Sequence, residues 1–241
     1  MKISLIVPAY NEEKLLGASL RHILAASRAF HRQGWETELV VCDNNSTDAT
    51  GKIAAAAGAR VVFEPINQIG RARNRGAVAA TGEWLIFIDA DSHPCEGLFG
   101  EVAEQIQSGR CLGGGSTIRL DEAHLVGQLV TRGWNLLSRA QGWAAGSFIF
   151  CQAAAFRAIG GFSLELFASE EIDLSARLKR LAREQSRRFV ILHRHPITTS
   201  ARKLHLYSRR EHFRFLRRAI LRPARTIRHR AECPTWYDGR R

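Results

Sequence analysis

The feature that most narrows the fold of this 241-residue chain is an alternation running through its first 90 positions. "ISLIV" (3–7), "ELVVC" (38–42), "RVVF" (60–63) and "EWLIFI" (83–88) are short aliphatic and β-branched runs. Between them lie segments with helical spacing, such as Leu15, Leu16, Leu20, Ile23 and Leu24. β-branched residues favour strands, and a strand apolar on both faces needs cover on both faces. The pattern predicts βα units wound into a mostly parallel central sheet, a Rossmann-like α/β/α sandwich. Asn11 is expected to cap the first helix, with Glu12 and Glu13 at its positive end. The second half is less regular, with helices expected around 96–108, within 124–140 and from about Ser169 to Arg183, and strands at 111–119, 147–151 and 188–192.

Ligands of such sheets sit beyond the carboxyl ends of the strands. This places "PAYN" (8–11), "DNNS" (43–46) and "DADSH" (89–93) along one edge. If the chain stays extended through Asp91, Asp89 and Asp91 share a face and Ala90 takes the other. Two close carboxylates repel, and either a raised pKa or a divalent cation relieves them. Mg²⁺ or Mn²⁺, held by one or two carboxylates together with substrate phosphates, fits such an oxygen-rich strand end. An Asp-rich turn that merely ends a strand fits the residues equally well, and "DNNSTD" reads most simply as an Asx turn before a helix.

Four segments together resemble the family 2 glycosyltransferases of the GT-A fold: "ISLIVPAYNEE" (3–13), "VVCDNNSTDAT" (40–50), "GRARNRGAVAATGEWLIFIDADS" (70–92) and the looser "GGFSLELFASEEIDLSARLKR" (160–180). The resemblance implies an enzyme moving a sugar, with inversion, from a nucleotide-diphosphate sugar to a hydroxyl acceptor, assisted by Mn²⁺ or Mg²⁺. It implies that Pro8, Ala9, Tyr10, Asn11, Glu12 and Asp43 hold the nucleobase side of the donor. By the same likeness Asp89 and Ala90 lie near the ribose, Asp91 ligates the metal, and Arg71 and Arg75 meet the diphosphate. Of the three arginines at the start of that helix, Arg71 and Arg75 lie four residues apart on one face.

The family's usual Glu-Asp pair is Glu170-Glu171 here, so the general base falls on Glu171, with Glu170 and Asp173 as alternatives. Without the resemblance these acids read as first-turn residues matched to a helix dipole. With Asp91 and Asp89 as the carboxylate ligands, His195 and His193 after the strand "RFVIL" are candidates to complete the metal site, and His93 competes for the same duty; an imidazole can complete a carboxylate-bound Mn²⁺ site. The segment "TTSARK" (198–203) is positioned to close over the donor through Arg202 and Lys203, or to act as a plain linker.

Residues 1–200 carry a net charge of only +2, whereas 201–241 carry +10 of the chain's +12. The expected organisation is a GT-A domain over 1–200, with a nucleotide-sugar half (1–110) and an acceptor half (111–200), followed by an Arg-rich extension. Within the extension, Phe213, Leu216 and Ile220 form an apolar stripe ended by Pro223. That stripe fits docking on the domain or contact with an anionic membrane bearing a lipid-linked acceptor.

A nucleic-acid-binding protein acting through the tail explains the charge but leaves the strand-end acids facing phosphate. A nucleotidyltransferase would need a Gly-rich, basic N-terminal loop where "PAYNEE" stands. Five scattered cysteines with no CxxC pair disfavour a disulfide framework or structural zinc site and fit a reducing cytoplasm. "MKISLIVPAY" is cut too early for a signal peptide, and "WAAGSFIFCQAAAF" (143–156) falls short of the roughly 20 residues a membrane helix needs.

Overall fold

In the computed structural model of the protein, residues 1–122, 125–202, 206, 223–233 and 237 are described. The first half forms β1 (Lys2–Ala9), α1 (Leu16–Ala26), α2 (Arg28–His31), β2 (Glu36–Asp43), α3 (Thr50–Ala56), β3 (Arg60–Phe63), α4 (Ile69–Ala79) and β4 (Trp84–Ile88). It continues through β5 (Ser92–His93), α5 (Glu96–Gln107), β6 (Cys111–Leu120), α6 (Leu125–Gln141), β7 (Phe148–Gln152), α7 (Ala153–Ala158), α8 (Glu170–Glu184) and β8 (Arg188–Thr199). A short helix, α9 (Pro223–Arg228), and a 3₁₀ turn at Arg230–Glu232 belong to the basic tail.

The described strands make one sheet in the order β3-β2-β1-β4-β7-β6-β8-β5. β3, β2, β1 and β4 run parallel, joined by helical crossovers. Beyond β4 the sheet turns mixed: β7 is antiparallel to both β4 and β6, and β6 is parallel to β8. Strand alternation divides the core in two. Ile3, Leu5, Val7, Ile86 and Ile88 pack against α1, α2 and α5, whereas Ile6, Leu85 and Phe87 pack against α4, α7 and α8. Cover on both faces accounts for the unbroken apolar runs. α4 lies so close to β1 that a Cβ on Gly76 would stand 2.5 Å from an Ile6 methyl, so only glycine permits this approach.

Three local expectations change. α1 begins at Leu16, not at Asn11, and no side chain caps it. Asn11, at φ 50°, instead donates its backbone N–H to Ser46 Oγ at 3.0 Å, and its Oδ1 accepts the Thr47 N–H at 2.8 Å. The backbone N–H groups of Glu12 and Glu13 donate to Thr50 Oγ1 and Asp48 Oδ2, so "YNEE" is tied to "STDAT" rather than starting a helix. The strand before the acids stops at Ile88, and Asp89–Ser92 close a turn through the Ser92 N–H to Asp89 C=O bond of 3.0 Å. Strand alternation therefore does not set the directions of Asp89 and Asp91. β8 runs seven residues past the expected end, and its pairing with β6 slips between Leu192 and Ile197.

The tail returns to the domain. Phe167 donates to the Ile227 carbonyl at 2.7 Å, and Cys233 and Tyr237 are buried against Ala168. The amphipathic stripe read at 211–221, and Lys203, lie outside the described residues. No helix among the described residues is long and apolar enough to cross a membrane. All five cysteines are free thiols.

Candidate active site

Two cavities meet at the turn after β4. The first is lined by Pro8, Ala9 and Tyr10 from the end of β1, Glu12, Asn44, Asn67, Ile69 and Ala72, Asp89–Asp91, and Tyr237 from the tail. The second is lined by Ile69, Arg73, Asp89, Ile118, Trp134, Ala145–Ser147 and Ser169–Glu171. Asp89 borders both.

The walls of the first cavity are held from behind. Asn44 donates to the Glu64 and Ile66 carbonyls at 3.0 and 2.7 Å and accepts the Gln68 N–H at 3.0 Å, fixing the approach to α4. Asp43 does not line the cavity. Its Oδ1 accepts the Ser46 N–H at 2.9 Å, as an Asx turn requires, and its Oδ2 stands 3.0 Å from where a Cβ on Gly51 would be. Asn11 likewise serves the loop contact already described.

Arg73 is the hub between the cavities. It is 1% exposed, with Nη1 2.5 Å from Glu170 Oε1 and Nη2 2.9 Å from both Asp89 Oδ1 and the Gly146 carbonyl. Its guanidinium lies 5.1 Å from the Phe162 ring centroid. Burial opposes the charge, but Asp89, Glu170 and Glu171 outweigh it and raise the pKa above the arginine norm. Arg71 and Arg75 line neither cavity. Arg71 donates to Gln68 Oε1 at 3.1 Å, and Arg75 is exposed. On α4, Gly70, Arg73, Gly76 and Ala77 are all buried. An arginine spaced three residues from each of two glycines was the signal for the inward one, since small residues mark the face that touches the sheet.

The three acids at the start of α8 separate by partner. Glu170 is 4% exposed and bound to Arg73, while Asp173 pairs with Arg177 at 2.6 Å and lines neither cavity. Glu171 faces the second cavity, and among the described residues no side-chain donor is bonded to its carboxyl. Desolvation first and Glu170 second, against the pull of Arg73, push its pKa up to about 8. Ser169 ahead of it sits at φ 61° in the left-handed region, which turns the chain into α8.

The histidines do not join the carboxylates. His195 presents Nδ1 to Glu101 Oε1 at 2.8 Å, and its ring packs against Gly97 of α5. The register slip in β8 breaks the alternation that would have aimed His193 and His195 alike. His93 stacks on His22 with centroids 4.6 Å apart, and burial lowers its pKa, with His22 adding to the effect. Among the described residues no group of three His, Cys, Asp or Glu side chains could hold a metal by itself.

A smaller set of carboxylates gathers around one guanidinium. The β5–β8 pairing brings Ser200 onto the Asp91 carbonyl and carries Arg202 in. Arg202 bonds both oxygens of Glu12 at 2.9 and 2.8 Å and lies 3.7 Å from Asp91 Oδ2. Asp91 is 6% exposed and Glu12 7%. The Arg202 guanidinium neutralises these two buried carboxylates here, and their oxygens are of the kind a hard divalent ion takes, one or two at a time, together with water and phosphate oxygens. Asp89, tied to Arg73, stands outside that pair. Tyr237 was not anticipated; the aromatic "TWY" inside a basic tail was its only sequence signal.

The fold is shared with solved glycosyltransferases. It superposes on glucosyl-3-phosphoglycerate synthase from Mycobacterium tuberculosis, in complex with Mn²⁺, UDP and glucosyl-3-phosphoglycerate, with a TM-score of 0.66 at 20% identity, covering 91% of this chain and 77% of that one. A mannosyltransferase from Pyrobaculum calidifontis in complex with GDP-Man and Mn²⁺ also gives 0.66, at 19% identity over 89% and 60% of the two chains. A doubly covered mixed sheet of this topology is thus the GT-A fold. The chain belongs to glycosyl transferase family 2, whose model matches residues 4–158. An uncharacterised glycosyltransferase of M. tuberculosis is 36% identical over 107 residues, 44% of each chain. Glucosyl-3-phosphoglycerate synthase of Mycolicibacterium smegmatis is 34% identical over 97 residues, 37% of this chain and 30% of that one. The matched stretch therefore spans less than half the length of these relatives.

Proposed function

We propose that the protein transfers a sugar from a nucleoside-diphosphate donor in the first cavity to a hydroxyl acceptor in the second, with inversion at the anomeric carbon. The observation that carries this reading is the position of the Asp89–Asp91 turn between two cavities, one containing the Glu12–Asp91 pair and the other Glu171. Pro8, Ala9 and Tyr10 would wall the nucleoside, with the Tyr10 ring as a stacking face. Glu12 and Asp91 would hold Mn²⁺ or Mg²⁺, which neutralises the diphosphate and eases its departure. Ala90 is buried, and Asp89 borders both cavities.

In the second cavity Glu171 removes the acceptor proton as the hydroxyl oxygen bonds the anomeric carbon and the diphosphate leaves from the opposite side. A carboxylate with a pKa near the working pH is an effective general base, being both available and proton-hungry. Glu170 is ill suited to that duty because Arg73 occupies it. Arg73 acts as a positioning residue, since it fixes Asp89, Glu170 and the Gly146 carbonyl at once.

Thermal stabilisation by UDP-sugars and GDP-sugars, with and without Mn²⁺, tests the donor side. A metal-dependent upward shift with one nucleotide class is expected, and its absence with all of them counts against the reading. Identification of the transferred product by mass, and of its anomeric configuration, tests the rest.

A further inference from the structure

Helix α6 turns its apolar side to solvent. Leu125, Val126, Leu129, Val130, Leu136 and Leu137 are between 44% and 79% exposed, whereas the residues it buries are Gly127 and Ser138. Toward the protein it offers Asn135, whose side-chain amide bonds both the N–H and the carbonyl of Ile118 at 2.9 Å. Projected at 100° per residue, the six aliphatics together with Gly133 and Ala140 form one uninterrupted stripe about 140° wide. Packing among the described residues gives no reason for this arrangement, and a contiguous exposed apolar patch marks an interaction surface.

Its borders indicate the partner. No acid occurs on α6, and the exposed Arg132 and Arg139 lie together along one margin of the stripe. Along the other margin Trp134 is half-buried and lines the cavity that contains Glu171. Aliphatic residues flanked by arginines, with an indole at the edge, match the acyl, phosphate and interfacial zones of an anionic bilayer. A chain of net charge +12 adds long-range attraction to the same surface.

We propose that α6 lies flat on an anionic lipid surface. Its stripe sits among acyl chains, Arg132 and Arg139 meet headgroup phosphates, and the Glu171 cavity opens toward a membrane-held hydroxyl acceptor. The bilayer contact stands on α6 alone; the lipid nature of the acceptor rests on the proposed role of that cavity.

The full chain is sedimented with vesicles of phosphatidylcholine alone and of phosphatidylcholine mixed with phosphatidylglycerol. It is expected to pellet with the mixed vesicles and to be released by salt. Leu129→Ser and Leu136→Ser, both at exposed positions, should each weaken partition about tenfold. They should leave the melting temperature and any donor-induced stabilisation unchanged. Arg132→Gln with Arg139→Gln should weaken binding to the mixed vesicles only. The proposal is overturned if the wild type stays in solution, or if the serine variants pellet as it does, which would move the contact to the basic tail. It is also overturned if light scattering shows a wild-type dimer that the serine variants dissolve, assigning the stripe to a second copy. Donor stabilisation is read separately, so failure of the donor assignment and failure of the membrane contact are distinguishable.

Discussion

Replacing Arg73 by Met tests the link between the two cavities. The change removes three hydrogen bonds, to Glu170, Asp89 and the Gly146 carbonyl, and the stacking on Phe162, while keeping much of the side-chain volume. The larger penalty lies in what is left behind. The Glu170 side chain is 5% exposed and cannot be rehydrated in place, whereas that of Asp89, 21% exposed, can partly recover water. Removing one partner of a buried ion pair destabilises by about 3–5 kcal/mol, and most of it here should come from Glu170. Adding Glu170→Gln removes the stranded charge and should restore about 2 kcal/mol, giving a coupling well outside additivity.

Urea unfolding of the wild type, the Met variant and the double variant measures both quantities. A loss below about 1 kcal/mol, or a double variant no more stable than the Met variant, would refute the view of Arg73 as the charge that makes this turn stable.

The other tests are shorter. Glu171→Gln should cut turnover by about 10²-fold or more while leaving donor affinity within about twofold, read as kcat against KM; full activity would place the base elsewhere. Because Glu171 has its pKa raised from 4.5 to about 8, the ligand-free wild type should lose stability as pH rises between these values. The Gln variant lacks that decline and should be more stable by about 1–2 kcal/mol at pH 8, a figure reduced for the residue's partial exposure. Asp91→Asn should abolish the Mn²⁺-dependent part of donor stabilisation, and calorimetry with Mn²⁺ and UDP would expose any that remains. Gly146→Ala puts a Cβ 3.1 Å from Arg73 Nη2, and should lower stability by about 1–2 kcal/mol in urea melts, with a further fall in turnover.

The unbroken apolar runs and helical spacings of residues 1–90 announced both the parallel half of the sheet and the cavity edge at Pro8–Tyr10 and Asp89–Asp91, because burial on two faces leaves a local signature. The choice of inward arginine did not follow from charge. Arg71, Arg73 and Arg75 are chemically alike, and only the packing of Gly70 and Gly76 selects Arg73. The destination of the histidines was likewise beyond local rules, since one register slip in β8 sends His195 to Glu101 on α5. Tyr237 reaches the first cavity, and Arg202 the Glu12 that lines it, through chain returns of long sequence separation, which no short motif encodes.

The amino-acid sequence alone determined the alternation of strands and helices in residues 1–90 and where acids gather at strand ends, since these follow from periodicity and side-chain chemistry within a few residues. Tertiary structure decided which acid meets which cation. Pairing energies of Glu12, Asp91, Glu170 and Glu171 depend on neighbours brought from up to 190 residues away, and on how much water each retains there.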